Sequence, residues 1–528
     1  VSGPGRKFGA VLTTLVVGLA VLVTPGSATA APLSLDPGFG SGGVTGQLLL
    51  PGSRFGSVTA TIAQPDGKVL LVGRAYGSPA STYQRGAVIR LNANGTLDGS
   101  FGAGGRVFLP DGFNCASCNE AALNAIAIDS AGRILLAGQG KVGGVTSATA
   151  VRLTPTGALD SGFGGTGMVR VGGSDSHGIG IAADSQDGVL IATASGFPFF
   201  ESSPGVTRLT PAGVVDGGFG SGGTTSLAAG GVIAAAVTPV DLARLPSGFA
   251  VIGTTQEFTA STTGGLTSTR AAAVVRVSAG GTVSSFTRIR PAGTPVPEGS
   301  FYPDALAVSG GATAAGTVYL SGLSELKRDK GGGGIEYDYS ASGTGIFAAA
   351  VPAAGSPEIA FVPGTTGSSA VAGDIAADGA DGFAVVAAVG AKYEIAGFGP
   401  SLSLDPDYGQ QGVLAFPGFG QPSTDVASSL TFDVQHRLVV SGSSANGGGG
   451  GSDFGALRLT GEATPPVEKA GETGGGAPSG SSTPAATAKP KANEKTLKCR
   501  KGFKKKTVRG KAKCVKKKRP NKHHRSRH

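Results

Sequence analysis

The amino-acid sequence predicts an all-β protein: a seven-bladed β-propeller of four-stranded blades, with a disordered C-terminal basic tail. Three observations predict it. The nine-residue stretch LDPGFGSGG, starting at Leu35, returns as LDGSFGAGG at Leu97, LDSGFGGTG at Leu159, VDGGFGSGG at Val215 and LDPDYGQQG at Leu404. A turn followed by a short apolar run occurs seven times between the same limits. The chain of 528 residues holds 93 Gly, no Trp, one Met and only 15% charged residues. It must therefore bury Val, Ile, Leu, Ala and Phe on short segments divided by glycine turns, which favours strands over helices.

In chain order, residues 1–30 read as a signal peptide. Arg6 and Lys7 flank the apolar run from Phe8 to Val23, Pro25-Gly26 breaks any helix, and Ala28-Thr29-Ala30 has the small-x-small form of a cleavage site. The run is short for a stable membrane span; an uncleaved anchor is the alternative. The mature protein is expected to be secreted or associated with the cell envelope.

Residues 31–460 form the repeating body. Motif starts at 35, 97, 159, 215 and 404 leave a last interval of three periods, so two weakened copies are expected, at Val283 (VSSF) and Ile359 (IAF). The turn-and-run landmark gives the same count: PDGKVLLVG (65–73), SAGRILLAG (130–138), SQDGVLIATA (185–194), PSGFAVIG (246–253), AAGTVYLSG (314–322), ADGFAVVAA (380–388) and VQHRLVVSG (434–442). In the first unit the four strands read as GVTGQLLLP, SVTATIAQ, KVLLVGRA and GAVIRLN. Pro65-Asp66-Gly67 and Asn94-Gly95 supply the hairpin turns. Four short strands, repeated seven times, match a propeller, whereas a β-helix has a much shorter coil. Units four to six carry longer insertions, including residues 323–339, where ligand-contacting loops are expected.

The recurrence of the motif argues against a catalytic signature, which a chain needs once. Its glycines permit positive φ. Its aromatic residues Phe39, Phe101, Phe163, Phe219 and Tyr408 are expected to wedge between neighbouring sheets, each burial worth about 1.5–3 kcal/mol. Its aspartates are Asp36, Asp98, Asp160, Asp216 and Asp405. Arg90, Arg152 and Arg208 each stand eight residues before the following motif aspartate, while Arg276 stands eight before Ser284, so pair and motif decay together. A structural ion pair spanning the junction between units is expected. Cation binding by the repeated carboxylates is the weaker reading, because Ca²⁺ takes six to eight oxygens and the loop offers one carboxylate.

The remaining chemistry-bearing residues are few. Cys115 and Cys118 form CASC in a long loop, and Cys499 and Cys514 lie in the tail; local disulfides, 115 with 118 and 499 with 514, are the simplest of three connectivities for an exported chain. A redox motif would need a βαβ setting, and zinc would need two further ligands where the body offers only His177 and His436. His177 is expected in a loop and His436 in a hairpin turn. No catalytic, cofactor-binding or metal-binding residues are assigned, and no cofactor is expected.

The stretches LDPGFGSGGV, QPDGKVLLVG and AVIRLNANGTLDGSFGAGG resemble the delta-60 repeat, a family of bacterial exported proteins with tandem propeller-like units. The resemblance covers about 35–460 and is weakest across 283–403. It implies an extracellular propeller and carries over no catalytic residue.

Charge divides the chain. Residues 461–528 hold 20 Lys/Arg against 4 Glu, while 31–460 hold 22 against 30. Residues 461–495 are a Pro/Gly/Ser/Ala-rich linker expected to be disordered. Residues 496–528 are a Lys/Arg-rich tail presenting Lys504, Lys505, Lys506, Arg509, Lys511, Lys516, Lys517 and Lys518 to a polyanion. An electrostatic tether to an anionic envelope polymer or surface is expected, with a solubilising role or metal binding by His523, His524 and His528 as alternatives. Specific nucleic-acid recognition is not expected, for want of aromatic residues to stack bases. The functional expectation is a monomeric, non-enzymatic binding or scaffold module with a protein or glycan ligand on the propeller face. The alternative is a propeller-type hydrolase or lyase acting on an extracellular polysaccharide.

Overall fold

A computed structural model describes residues 33–46, 48–49, 56–76, 84–110, 123–142, 145–195, 204–227, 237–260, 266–289, 301–313, 315–329, 335–338, 344–366, 370–377, 382–389, 392–409, 411–419, 425–445, 451–460, 503–508 and 511–516. Residues 1–30, Cys115, Cys118, Cys499, Arg509, Lys517, Lys518 and the linker 461–495 lie outside this set, and with them the signal-peptide, linker and disulfide expectations. Every regular element among the described residues is a strand, so no helix there is long and apolar enough to cross a membrane.

Two short strands come first, β1 (Ser34–Leu35) and β2 (Val44–Thr45). Blade 1 is then β3 (Ser57–Ala63), β4 (Val69–Tyr76), β5 (Gln84–Leu91) and β6 (Arg106–Phe108). Blade 2 is β7 (Leu123–Ile128), β8 (Ile134–Val142), β9 (Val145–Leu153) and β10 (Met168–Arg170). Blade 3 is β11 (Ser176–Ala183), β12 (Val189–Ser195), β13 (Gly205–Leu209) and β14 (Thr224–Ser226). Blade 4 is β15 (Val237–Leu245), β16 (Gly248–Ala260), β17 (Leu266–Val277) and β18 (Val283–Ile289).

Blade 5 is β19 (Phe301–Ala312), β20 (Val318–Asp329), β22 (Gly345–Val351) and β23 (Glu358–Phe361), with β21 (Ile335–Asp338) paired to the far end of β20. Blade 6 is β24 (Ala370–Ala377), β25 (Phe383–Val389), β26 (Lys392–Phe398) and β27 (Val413–Ala415). Blade 7 is β28 (Val426–Phe432), β29 (Leu438–Ala445) and β30 (Ser452–Thr460), and its outer strand is supplied by β1 and β2. Ser34 pairs with Thr460, Leu35 with Leu459, Val44 with Leu457 and Thr45 with Ala456.

This closure corrects the phase of the sequence units. The stretch read as the first strand of unit one ends blade 7, and each blade begins one strand later than its motif. The expected weak motif copies are themselves outer strands: Val283 opens β18 and Ile359 lies in β23. Blades 4 and 5 thus pass from third to fourth strand without the motif loop. The described residues of the insertion at 323–339 are strand as well: β20 runs to Asp329, and β21 pairs with it at Leu326–Asp329.

The core is seven slabs, one between each pair of neighbouring blades. Phe39, Val69, Ile89 and Phe454 fill the slab between blades 7 and 1, and Val72, Phe101, Leu136 and Leu153 the next. The others lie between blades 2 and 3, 3 and 4, 4 and 5, 5 and 6, and 6 and 7, which closes the ring. Alternate residues of each strand face opposite slabs, so the middle strands are apolar on both sides and read as continuous runs such as VLLV and ILLA.

The tail holds a separate element. β31 (Phe503–Val508) and β32 (Lys511–Lys516) pair antiparallel, Phe503 opposite Lys516 and Val508 opposite Lys511. The sequence reading did not anticipate this ribbon, whose strands are separated by two residues, Arg509 and Gly510.

Candidate functional site

Two places concentrate polar side chains: the junctions between blades and the ring axis. At the junctions the motif makes one repeated set of contacts. Phe39, Phe101, Phe163 and Phe219 are fully buried, and Tyr408 nearly so. The glycine after each Phe donates its N–H to the turn of the next blade: Gly40 to Asn94 O at 2.7 Å, Gly102 to Thr156 O at 2.9 Å, Gly164 to Ala212 O at 2.9 Å and Gly220 to Gly280 O at 3.0 Å. That turn must carry glycine. Gly95 has φ +78°, and a Cβ there would lie 2.6 Å from Gly40 N and 3.0 Å from the Phe39 ring.

Each motif aspartate closes an Asx turn with Oδ1, which accepts from Gly38 N–H in Asp36, Ser100 in Asp98, Gly162 in Asp160, Gly218 in Asp216 and Asp407 in Asp405. Oδ2 then takes an arginine: Arg90 Nε to Asp98 at 2.8 Å and Arg152 Nε to Asp160 at 2.7 Å. Both partners belong to one blade, so the expected pair crosses the boundary between sequence units but not the boundary between sheets. What crosses is the other end of the guanidinium, where Arg90 Nη1 donates to Pro155 O and Arg152 Nη1 to Pro211 O. The same guanidinium lies over the motif ring, 4.4 Å from the Phe101 centroid and 4.7 Å from that of Phe163.

At the closing junction the partner of Asp36 is Arg458, which sequence spacing missed because 422 residues separate them. Arg458 Nε reaches Asp36 at 2.8 Å, its Nη1 donates to Ala93 O, and its guanidinium covers Phe39. Burial opposes ionisation of Asp36 most strongly, yet the Gly38 N–H, Arg458 and Arg437 together hold its carboxyl below the usual range. The connection from β2 to β3 is gripped nearby: Arg106 Nε donates to Leu48 O at 2.6 Å, and Asp453 Oδ1 accepts from Leu49 N–H at 2.8 Å. Burial pushes the Asp453 carboxyl up despite those N–H groups.

Four junctions depart from the pattern: blade 5 has neither the arginine nor the motif aspartate, and the other three depart for readable reasons. The β7–β8 and β28–β29 turns carry Asp129 and Asp433, each paired with its own arginine four residues on, Arg133 and Arg437. In blade 3 that fourth residue is Gly188, so Asp184 draws Arg208 to 2.6 Å. Arg208 still reaches Asp216 at 3.1 Å, and Thr225 Oγ1 makes the bond to blade 4 instead, at Gly281 O. In blade 4 the carboxylate is gone, but Arg276 Nη2 still donates to Val351 O of blade 5 at 2.9 Å. In blade 6 Gly397 stands in the arginine's place; a Cβ there would lie 2.0 Å from the Tyr408 ring, which takes the space.

The axis forms the second place. The innermost strands β3, β7, β11, β15, β19, β24 and β28 surround a cavity of about 280 Å³. Each has a β-bulge at the same level, at Thr59, Asn124, Ile179, Val240, Val308, Gly373 and Ser428. Side chains beside these bulges join one blade to the next. Ser428 Oγ donates to Val58 O at 2.8 Å, Thr59 Oγ1 to Leu123 O, and Asn124 Nδ2 to Gly178 O at 2.9 Å. Asp241 Oδ2 accepts from Gly310 N–H at 3.2 Å and Asp374 Oδ2 from Leu430 N–H at 2.9 Å, while their Oδ1 atoms accept from Leu242 and Ile375 N–H.

Sequence reasoning did not single out Asp241 or Asp374; their signal is an aspartate inside an otherwise apolar inner strand, VDLA and GDIA. His177 lies in β11 and not in a loop, its Nδ1 3.0 Å from Gln139 Oε1, because Ser176 and His177 continue the pairing with β12. His436 sits in the expected turn, at φ +58°. Among the described residues no group of three or more His, Cys, Asp or Glu is placed to hold a metal ion.

Comparison with known proteins agrees with this architecture. The profile of a family described as a domain of unknown function, DUF5122 beta-propeller, matches residues 64–101 and 132–163, the hairpins and motif loops of blades 1 and 2. The chain is a β-propeller repeat protein. No curated protein matches it. Among solved structures it is similar to the Kuenenia stuttgartiensis hydrazine synthase, at 13% identity and a TM-score of 0.40, over 74% of this chain and 92% of that one. It is also similar to a Xanthomonas campestris gluconolactonase, at 14% identity and a TM-score of 0.28, over 77% and 98% of the two chains. A calcium-binding regucalcin from Agrobacterium tumefaciens follows, at 11% identity and a TM-score of 0.32, over 81% and 95%. Likeness at this level carries no argument about activity.

Proposed function

We propose that the protein is an exported, non-enzymatic β-propeller that acts as a binding or scaffold module, held at the cell envelope by its polycationic tail. The observation that carries this reading is the use made of the axial carboxylates. Asp241 and Asp374 each have both oxygens engaged by backbone N–H groups, one from their own strand and one from the next blade. They act as the acidic counterparts of Ser428, Thr59 and Asn124 in a set of axial hydrogen bonds that joins five of the seven neighbouring blade pairs. An acid–base pair needs a carboxyl oxygen turned to the substrate. The recurrence of the motif at intervals of about 60 residues supports membership of the delta-60 repeat type, and the apolar run at 8–23 supports export. The mature protein is then monomeric and secreted or envelope-bound, with a protein or glycan ligand on a propeller face.

The alternative, a hydrolase or lyase of an extracellular polysaccharide, is favoured by one observation: two carboxylates line a single axial cavity. Incubating the full chain with a panel of soluble bacterial polysaccharides separates the two. Retention without new reducing ends or unsaturated products supports the module; turnover abolished by Asp241→Asn or Asp374→Asn overturns it. For the tether, full-length protein should sediment with isolated envelopes at low salt and be released at high salt, while a 31–460 truncation stays soluble. Equal, salt-insensitive sedimentation of both discards the tether.

A further inference from the structure

We propose that the tail ribbon binds a linear polyol-phosphate chain, and that one face of the ribbon carries the recognition. The inference rests on the tether reading and names its ligand chemistry. In an antiparallel pair, directly opposite residues share a face and successive residues alternate. The register therefore places Lys504, Lys506, Lys511 and Lys513 on one face, with Val508 and Val515. The opposite face carries only Lys505 and Lys516 of the lysines, with Phe503, Thr507, Ala512 and Cys514. Net charge alone does not distinguish the two faces of a coil; a paired ribbon does.

The spacing selects the ligand. Residues two apart on a strand recur at about 6.7 Å. Two residues of extended backbone contain six bonds, and so does a phosphodiester repeat with a three-carbon spacer, P–O–C–C–C–O. Both chains therefore repeat at about 7 Å when extended. A polyol-phosphate chain laid along the ribbon meets a lysine at each repeat, from 504 to 506 on one strand and from 511 to 513 on the other. Lys506 stands directly opposite Lys513, which disfavours the pairing of a hairpin that is marginal alone. Phosphates seated over this face remove that repulsion, so binding and pairing reinforce each other. Nucleic acid shares the six-bond repeat but gains its affinity in single strands from aromatic platforms. The four-lysine face has none, its sole aromatic, Phe503, being on the other side.

The test uses the full chain with synthetic poly(glycerol phosphate) at low salt. K504Q/K511Q and K505Q/K516Q remove the same charge, one lysine from each strand, and all four positions lie outside the propeller sequence 31–460. The first should weaken binding about tenfold or more and flatten its salt dependence, the second less than about threefold. Equal losses in the two variants overturn the face-specific inference while leaving the tether standing. Single-stranded DNA of matched phosphate number binding as tightly as the polyol phosphate overturns the ligand class. Failure of the unsubstituted full chain to bind better than residues 31–460 removes the tether itself.

Discussion

Asp98 shows how one carboxylate does two jobs in this fold: Oδ1 shapes a turn and Oδ2 fixes an arginine that reaches the next sheet. Its side chain and that of Arg90 are 7% and 8% exposed. Replacing it by alanine leaves a buried guanidinium without its counter-charge, so Asp98→Ala should destabilise the protein by about 2–4 kcal/mol in urea denaturation, without changing the affinity of any ligand. Burial opposes ionisation of Asp98, but the Ser100 hydroxyl and N–H and the Arg90 guanidinium outweigh it and hold the carboxyl below its usual range. Asp36 shares this depression. A folded value below the unfolded value of about 3.9 gives stability that is fully present above that pH and lost as pH falls through the folded values. This contribution to the urea midpoint should hold steady from pH 8 to 5 and fall below about pH 4.

A contrasting pair lies in the sheets. Ser441 and Thr61 share a hydrogen bond across the junction of blades 7 and 1. Ser321 holds the equivalent place in blade 5, but the position matching Thr61 is Ile375, and its buried Oγ has no partner among the described residues. Ser321→Ala should raise stability by about 1 kcal/mol and Ser441→Ala should lower it by about 1–2 kcal/mol, as read by thermal melting.

Among the elements, the motif loops were legible because every blade that has one needs the same contacts, so the residues recur: Phe101 in its slab, Gly102 against the next turn, Asp98 with Arg90. The eight-residue spacing of arginine and aspartate was visible for the same reason. The phase of the blades was not, because β1 and β2 are joined to β30 by pairing that no local spacing records. The axial bulges were also hidden. Their residues, Thr59, Asn124, Ile179, Val240, Val308, Gly373 and Ser428, share a place and no chemistry. At this scale Phe39→Ala and Phe163→Ala should each cost about 3–5 kcal/mol in urea denaturation. Phe286→Ala should cost far less, because that ring, from the weakened copy, only flanks the slab between blades 3 and 4.

For the molecule as a whole, seven slabs joined in a circle leave no end blade with an uncovered face, unlike an open repeat array that frays from its termini. Unfolding should be cooperative across the body, with one transition by both far-ultraviolet circular dichroism and near-ultraviolet signals. Removing residues 31–46 should split that transition and expose the edge of β30 to association, visible as a rise in mass by light scattering. The count of blades was readable from the chain because the turn-and-run landmark survives in all seven, even where the motif has gone. What each face of the ring touches was not, since repetition records what the blades share and a ligand reads where they differ.

The fastening of blade 7 by β1 and β2 has a bearing on how the protein is made. Strands β1 and β2 are synthesised before the other strands of the ring and find their partners only after Thr460 has appeared, so an edge waits open through the production of six other sheets. A clasp sewn at the start of a necklace and hooked at its finish sets one deadline for the whole string: anything that delays the last bead keeps that hook free to catch a neighbour.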